Sequence, residues 1–330
     1  MPIAWQPFVD LVNASSTFVL TSHMRPDCDA IGSEIGLAHA LRSLGKKVRI
    51  INGDAVPPHI AFIDPDHEVE VLGQHVTADS IQCDAHIVCD TSAWMQLGPM
   101  AEVIRTTKAR KAVIDHHASE DDMGAMMFKD VTAEATGRLI LEAADALGAK
   151  VTTAMANALF AAIATDTGWF RFSSVGEETF KATARLVAAG AKPNALFSVL
   201  YEQNSLARLR LQGRILQNIV PDLGGRLMYT LITQQDLTDT GAESTDTEDV
   251  VNRLLSVAGV EAAILFLEMG PQETKVSIRS RSALDARRVA EKFSGGGHRA
   301  AAGVRFPGPL VEAEPAILAA VREAMGPGGA

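Results

Sequence analysis

The sequence predicts an α/β protein of two domains, in which a mainly parallel sheet flanked by helices precedes a smaller α/β domain. A length of 330 residues suits about two domains. In the first half, short β-rich runs alternate with helical patterns, as they do in βαβ units. The glycine- and proline-containing segment 221–225 then interrupts the chain before strand patterns resume.

The first half contains four predicted strands, and helical patterns join or follow them. Apolar, β-rich runs predict strands at 17–22, 47–52, 84–90 and 111–115. A helix is predicted over 29–44, where Gly45 ends it. Helical patterns then dominate from residue 132 to about residue 220, with alanine-rich segments at 133–148 and 152–164.

The second half repeats the mixture of strands and helices on a smaller scale. Strands are predicted at 226–233, 261–268 and 274–279, and helices at 246–258 and 285–293. We therefore expect a first domain over 1–195, a helical connector over 196–225 and a second domain over 226–330.

The composition excludes several classes of protein. A net charge of −10 argues against a protein that coats long duplex DNA, because phosphate binding needs a basic surface. The first residues lack the pattern of a signal peptide, and no apolar run approaches the ~20 residues that a bilayer requires. The three cysteines form no CxxC pair and suit a reducing cytosol. We expect a cytoplasmic protein that binds no membrane.

Chemically active residues are concentrated directly after the first predicted strand. His23, Asp27 and Asp29 lie within seven residues in the segment SHMRPDCDAIGS. Open α/β sheets bind their ligands at the carboxyl ends of the strands, which is the position of this segment. Taken alone, the two aspartates could equally do no more than cap the following helix.

Two further predicted strands also end in acid or imidazole groups. Asp90 ends the strand at 84–90, and the strand at 111–115 runs into Asp115, His116 and His117. Because parallel strands place their carboxyl ends on one edge, these groups are expected to converge. Asp166 is a further candidate at the end of an apolar helix, although its position also fits a helix cap.

Converging carboxylates repel one another unless cations lie between them or their pKa values are pushed apart. Carboxylate oxygens with one or two imidazoles suit Mn²⁺ or Mg²⁺, and less strictly Co²⁺ or Zn²⁺. One acid can bridge two such ions when they lie ~3.5–4 Å apart, an arrangement used in phosphoryl hydrolysis. The set therefore predicts a metal centre with two ions.

These motifs together resemble the DHH phosphoesterase superfamily. The resemblance rests on HxxxPDxDAxGS, the strand-end aspartate, the DHH triplet and the later ATDTG. Residues 293–303, FSGGGHRAAAG, resemble the GGGH signature of its DHHA1 C-terminal domain. Length and motif order most resemble the branch of nanoRNases and phosphoadenosine-phosphate (pAp) phosphatases. Cys28 departs from the family pattern, which often has glycine at that position.

The resemblance implies a role for each motif residue. Two ions, Mn²⁺ or alternatively Mg²⁺ or Co²⁺, would be bound in the first domain, and Asp90 would bridge them. The first ion would take His23 and Asp27, and the second would take Asp29, His116 and Asp166. Asp115 would orient the adjacent imidazole. His117 would face the substrate phosphate as a hydrogen-bond donor or general acid.

The second domain carries a basic stretch in an otherwise acidic chain. Residues 274–305 contain eight basic and two acidic residues, so the remainder of the chain carries −16. A focused positive site of this kind fits an anionic ligand. Arg279 and Arg281 share one strand face by period two. The triplet Gly295, Gly296 and Gly297, followed by His298, lets backbone N–H groups approach a phosphate closely.

Aromatic residues make up only 5% of the chain, so a long stacking platform for single strands is not expected. Phe170 and Phe172, beside Asp166, are assigned to the core rather than to base stacking. The sequence does not fix the oligomeric state and leaves a homodimer open.

The combined features predict a hydrolase of short oligoribonucleotides, which it would cleave to nucleoside 5′-monophosphates. The family resemblance adds removal of the 3′-phosphate from pAp. The alternative is a phosphodiesterase for linear or cyclic signalling dinucleotides. A nucleotide sensor with a dead metal site is disfavoured because the ligand set is intact. A dehydrogenase is disfavoured because no GxGxxG follows the first strand.

Overall fold

A computed structural model describes residues 3–247 and 250–326 of the chain. The chain divides into two compact units, Met1–Gln203 and Asn204–Ala330. The boundary falls inside the predicted connector 196–225, and the predicted domain limits themselves stay a prediction. Among the described residues, none of the helices has both the length and the apolar character needed to cross a bilayer.

The first unit is built on a sheet of six parallel strands in the order β3-β2-β1-β4-β5-β6. The strands are β1 Thr17–Thr21, β2 Lys47–Asn52, β3 Val69–Val71, β4 Ala85–Cys89, β5 Arg110–Asp115 and β6 Met126–Lys129. The neighbours β1, β4 and β5 are the predicted strands that lead into His23, Asp90 and Asp115. Their carboxyl ends therefore lie side by side on one edge, which confirms the predicted fold class.

Seven helices accompany this sheet in the described part of the first unit. They are α1 Gln6–Asn13, α2 Cys28–Ser43, α3 Met100–Thr106, α4 Thr136–Ala146, α5 Thr153–Asp166, α6 Glu177–Ala188 and α7 Pro193–Tyr201. Helices α2 and α5 are buried and pack closely, because a Cβ on Gly32 would lie 2.5 Å from the carbonyl oxygen of Ala158. This packing brings Asp166, at the end of α5, to the side of the sheet where α2 begins.

The second unit has a mixed sheet in the order β11-β12-β10-β9-β8-β7, in which only β8 and β9 pair in parallel. Its strands are β7 Val220–Asp222, β8 Leu227–Ile232, β9 Ala262–Gly270, β10 Glu273–Ser280, β11 Gly296–Gly297 and β12 Ala301–Phe306. Its helices are α8 Leu206–Gln217, α9 Gln234–Thr240, α10 Val250–Leu255, α11 Ala286–Glu291 and α12 Leu310–Met325. Apolar residues of β9, β10 and α12 form its core.

The predicted strands of both units are present, most of them within one residue of the expected bounds. The sequence analysis missed the two edge strands of the first sheet, β3 and β6. The first of these is only three residues long, and the second, MMFK, contains no β-branched residue. It also missed β12, whose alanines and glycine have low β-propensity and which is ordered by pairing with β10.

Candidate metal centre

The loop between β1 and α2 presents His23 and Asp27 at the edge of the sheet. The Nδ1 of His23 lies 2.9 Å from the carbonyl oxygen of Met24 and donates its proton there, so Nε2 is left free to accept. That Nε2 lies 3.3 Å from Asp90 Oδ2 and 4.0 Å from Asp27 Oδ1. Asp27 also caps α2, because its Oδ1 accepts the N–H groups of residues 29 and 30. Capping and metal ligation are therefore compatible in one side chain.

Asp29 lies on the first turn of α2 and is almost completely buried. Its two oxygens accept the backbone N–H groups of Thr136 and Gly137 at 2.7 and 2.8 Å. These N–H groups begin α4, whose own N-cap, Ala135, has no side chain able to cap it. Burial raises the pKa of Asp29 well above its ordinary value, and the nearby charge of Asp90 adds to the rise.

Asp90 follows β4 and occupies the centre of the cluster. Its φ of +63° is in the left-handed region, which non-glycine residues seldom adopt and which recurs at functional sites. One oxygen faces His23, and the other lies 3.7 Å from His116 Nε2 and accepts the hydroxyl of Thr136 at 2.8 Å. Burial raises its pKa well above the ordinary value, and the charge of Asp27 raises it further.

His116 joins Asp29 and Asp166 on the other side of Asp90. Its Nε2 lies 3.8 Å from Asp29 Oδ2 and 3.4 Å from Asp166 Oδ2. Its Nδ1 donates to the carbonyl oxygen of Ala133 at 3.1 Å, which fixes the ring and leaves Nε2 to act as a ligand. Burial raises the pKa of Asp166.

Asp115 orients His117 and not His116. Its Oδ1 accepts both the backbone N–H and the Nδ1–H of His117, at 3.1 and 2.9 Å. Its other oxygen accepts the hydroxyl of Ser92 at 2.6 Å and lies 3.4 Å from Lys129 Nζ. The hydrogen bond to Asp115 raises the pKa of His117. Burial alone would raise the pKa of Asp115, but the hydrogen bonds from His117 and Ser92 outweigh it, so this pKa lies below its ordinary value.

The six expected ligands thus meet in one place. Three groups of ligand atoms lie within 4.8 Å of one another: His23–Asp27–Asp90, Asp29–His116–Asp166, and Asp90–His116–His117. The first two groups match the two predicted half-sites, and Asp90 faces both. Asp29 and Asp90 are buried, and carboxylates packed as closely as these four need positive charge, while oxygen with imidazole nitrogen is the donor set of hard divalent ions. The residues therefore fit two divalent cations.

Cys28 is close to this cluster but outside it. Its side chain is 4% exposed, and burial raises its pKa to about 12, although a hydrogen bond with Thr165 opposes this rise. The thiol is therefore protonated at neutral pH, and it belongs to none of the three groups of ligand atoms. The departure from the family pattern leaves the carboxylates and imidazoles in place.

The structure divides the eight basic residues of the stretch 274–305 into those that have a carboxylate partner and those that have none among the described residues. Four form ion pairs: Arg287–Glu291, Arg288–Asp285, Lys292–Glu323 and Arg305–Glu273. No carboxylate of residues 3–247 and 250–326 lies within 4 Å of the charged groups of Arg279 or Arg281. The N–H of Ser280, between them, donates to Ala300 at 2.8 Å, which joins the end of β10 to the loop that starts at His298.

Two of the three glycines are required by the hairpin of β11 and β12 itself. A Cβ at Gly295 would lie 2.3 Å from the carbonyl oxygen of Gly303, and Gly297 has a φ of +140°. Only at Gly296 would a Cβ meet open space. The N–H groups of Gly295 and His298 already donate to the carbonyl oxygens of Ala290 and Ala301. The expected close approach of a phosphate to the backbone therefore narrows to Gly296, and His298 can offer only its exposed side chain.

Several supporting residues were missed by sequence reasoning. Thr136, Ser92 and Lys129 hold the carboxylates, yet none of them is an acid or imidazole of the predicted motifs. A single hydroxyl or ammonium, whether at the end of a strand, at the start of a helix or in a loop, carries no spacing signal. The assignment of Phe172 to the core is wrong, because this side chain is 53% exposed, whereas Phe170 is partly buried against the core.

Comparison with known proteins agrees with the motifs. Residues 17–163 match the model of the DHH family, N-terminal domain, and residues 224–326 match that of the DHHA1 domain. The chain is similar to the bifunctional oligoribonuclease and PAP phosphatase NrnA of Thermus thermophilus, with 32% identity over 92% of this chain and 89% of the relative. The protein of the same name from Bacillus subtilis is 28% identical over 88% of this chain and 90% of the relative. A crystal structure of an exopolyphosphatase-related protein from Bacteroides fragilis superposes on this chain with a TM-score of 0.85 and 25% sequence identity. The superposition covers 97% of this chain and 95% of the other.

Proposed function

This chain belongs to the DHH family of phosphoesterases and carries a DHHA1 domain, and from that premise we propose that it hydrolyses short oligoribonucleotides to nucleoside 5′-monophosphates. We also propose that it removes the 3′-phosphate of pAp to give AMP. The relatives named for these two activities match about nine-tenths of the chain. The observation that carries the proposal is the position of Asp90 between two sets of imidazole and carboxylate ligands.

His23 and Asp27 would hold one cation, Asp29, His116 and Asp166 the other, and Asp90 would bridge them. We propose Mn²⁺ for both positions, with Mg²⁺ or Co²⁺ as substitutes. When bound, such a pair supplies an activated water and Lewis-acid stabilisation of the phosphoryl oxygens. The chain's contribution is to hold the ligands in place: Thr136 and Gly137 donate to Asp29, the hydroxyl of Thr136 donates to Asp90, and the carbonyl of Ala133 accepts from His116.

His117 is assigned as the group that faces the substrate phosphate. Its Nδ1 is bonded to Asp115, so its Nε2 is the nitrogen available to a phosphoryl or leaving-group oxygen. Asp115 is itself held by Ser92 and Lys129, which keeps the imidazole in one orientation. In the proposed mechanism His117 is the hydrogen-bond donor or general acid, and Asp115 orients it.

The second unit is assigned to the far nucleotide of the substrate. Arg279 and Arg281 supply guanidinium groups that have no carboxylate partner among the described residues, and the hairpin supplies a glycine that a phosphate can approach, Gly296, and the exposed imidazole of His298. Arginine suits phosphate because it donates two parallel hydrogen bonds. Fixing one end of the substrate positions the reacting phosphate, so remote binding energy aids the reaction.

A product time course tests this assignment. The purified protein with Mn²⁺ is offered pAp, a ribodinucleotide, a 5-mer, a 24-mer and a cyclic dinucleotide, and parallel series use Mg²⁺ and Co²⁺. We expect AMP from pAp and monophosphates from the dinucleotide and the 5-mer, with little turnover of the 24-mer. Faster turnover of the cyclic dinucleotide than of any linear substrate would favour the alternative phosphodiesterase. The absence of turnover on all five would refute both.

We place this activity in the cytoplasm, since all three cysteines are free, as is usual in a reducing compartment. A homodimer is compatible with the proposal and is not needed for the six ligands, which all come from one chain. Sedimentation in the presence of Mn²⁺ measures the assembly directly.

A further inference from the structure

The turn that follows Asp166 has an unusual backbone. Gly168, Trp169 and Phe170 have φ values of +55°, +59° and +63°, so three successive residues adopt the left-handed conformation. Bulky aromatic residues rarely occupy this region. Such conformations persist only where the surroundings enforce them, and they cluster at functional sites. This turn begins two residues beyond a proposed metal ligand.

The surroundings of the turn show how it is enforced. The backbone N–H of Trp169 donates to Ala164 at 2.6 Å, and the hydroxyl of Thr167 accepts the N–H of Phe170 at 3.1 Å. The rings of Trp169 and Phe170 each contact Phe160 edge to face, with centroids about 6 Å apart. The two aromatic residues at the strained positions are therefore the inward anchors of the turn.

The next two residues, Arg171 and Phe172, are both exposed. The ring of Phe172 lies against the backbone of Gly168: a Cβ added to Gly168 would lie 2.5 Å from the ring carbons of Phe172. The Nε of Arg171 donates to the carbonyl oxygen of Gly168 at 2.6 Å, which fixes the guanidinium. Within the described ranges 3–247 and 250–326, no carboxylate pairs with Arg171. One turn thus holds an exposed aromatic ring and a cation that has no carboxylate partner among the described residues, shortly after the proposed ligand Asp166 in the chain.

We propose that Arg171 and Phe172 form a nucleotide subsite in the first unit, next to the metal centre. The ring of Phe172 stacks on the nucleobase adjoining the reacting phosphate, and the guanidinium of Arg171 binds an oxygen of a phosphate. Stacking on an aromatic ring tolerates any base, and a guanidinium binds phosphate irrespective of sequence. This inference rests on the proposed function and adds a second binding contact, independent of Arg279 and His298.

The experiment compares pAp with ribose 3′,5′-bisphosphate, which has the same phosphates and no base. We expect Phe172→Leu to raise KM for pAp about 10-fold and to leave KM for the base-free compound unchanged, with kcat retained for both. Phe172→Trp restores the KM for pAp, because the larger ring still stacks. Arg171→Gln raises KM for both compounds, since both carry the phosphates.

Phe180→Leu is the matched control. The exposed fraction of Phe180, 57%, is close to the 53% of Phe172. Phe180, however, lies on α6 and stacks on Phe170, whereas Phe172 covers Gly168. We expect its KM values to equal those of the wild type. If Phe172→Leu raised KM equally for both compounds, the ring would only support the turn and the proposed stacking would be wrong. If Arg171→Gln left KM unchanged, the proposed contact between Arg171 and a phosphate would be wrong.

The wild-type protein separates this inference from the proposed function. If it hydrolyses pAp while Phe172→Leu and Arg171→Gln retain wild-type KM, the subsite is wrong and the proposed function stands. If it hydrolyses neither pAp nor short oligoribonucleotides, the proposed function is wrong and the subsite that rests on it is wrong as well.

Discussion

Replacing His86 with leucine is expected to make the first unit less sensitive to acid. His86 lies inside β4, is 1% exposed, and bonds through Nε2 to the hydroxyl of Thr21 at 2.8 Å, while its Nδ1 has no partner among the described residues. Burial lowers its pKa from 6.5 to about 4, and the charge of Lys111 adds to this. The imidazole is therefore neutral in the folded protein at physiological pH.

The direction and size of the effect follow from linkage. The unfolded chain takes up a proton on His86 as the pH falls through 6.5, whereas the folded protein does so only near pH 4. The stability contributed by neutral His86 is thus complete above pH 6.5 and is lost as the pH falls towards 4. Between pH 7.5 and pH 5 this amounts to about 2 kcal/mol, from a pKa difference of roughly 2.5 units.

Urea unfolding at several pH values measures this loss. The three tryptophans, Trp5, Trp94 and Trp169, all lie in the first unit, so their fluorescence reports on that unit. The carboxylates of the metal centre also titrate, but they are common to both proteins and cancel in the difference. Thr21 keeps its hydrogen bond to the carbonyl of residue 51 in His86→Leu.

The control is His59→Leu, which removes an imidazole at an exposed position. Between pH 7.5 and pH 5, we expect the free energy of unfolding of the wild type to fall by about 2 kcal/mol more than that of His86→Leu. The free energy of unfolding of His59→Leu should fall as much as that of the wild type. Parallel losses in the wild type and His86→Leu would refute the reasoning.

Three further outcomes concern activity. Asp90→Ala should abolish turnover more completely than Asp27→Ala, because it removes the bridging group of both half-sites; full turnover of Asp90→Ala at saturating Mn²⁺ would contradict this. Cys28→Gly should retain turnover and metal content, because the thiol is buried, protonated and outside the ligand groups; loss of the metal, measured by mass spectrometry, would make the thiol a ligand. Arg279→Ala and His298→Ala should each lower kcat/KM for a dinucleotide by roughly 10- to 150-fold and leave bis-p-nitrophenyl phosphate nearly unaffected; equal losses on both substrates would refute the division between units.

The sequence was sufficient to predict which acids and imidazoles meet, because strand ends in a parallel sheet share an edge. His23, Asp90 and His116 follow three strands that each carry a clear apolar signal, and their convergence needs only the topology. The roles of Asp115 and Phe172 could not be fixed this way. Which imidazole Asp115 orients, and which face of a turn is exposed, depend on side-chain directions that spacing does not determine.

The contacts around Asp29 explain how a cluster of acids can be assembled before any cation binds. The carboxylate accepts two N–H groups from the start of α4, more than 100 residues away, and the hydroxyl of Thr136 reaches on to Asp90. The N-terminus of a helix carries a partial positive charge, so α4 offsets part of the repulsion between the two acids. Gly137 allows this approach, because a Cβ there would lie 2.7 Å from the Cβ of Ala162 on α5. Helices α2, α4 and α5 therefore meet at Asp29, and the contact that orients the ligand also joins the helices that carry the rest of the site.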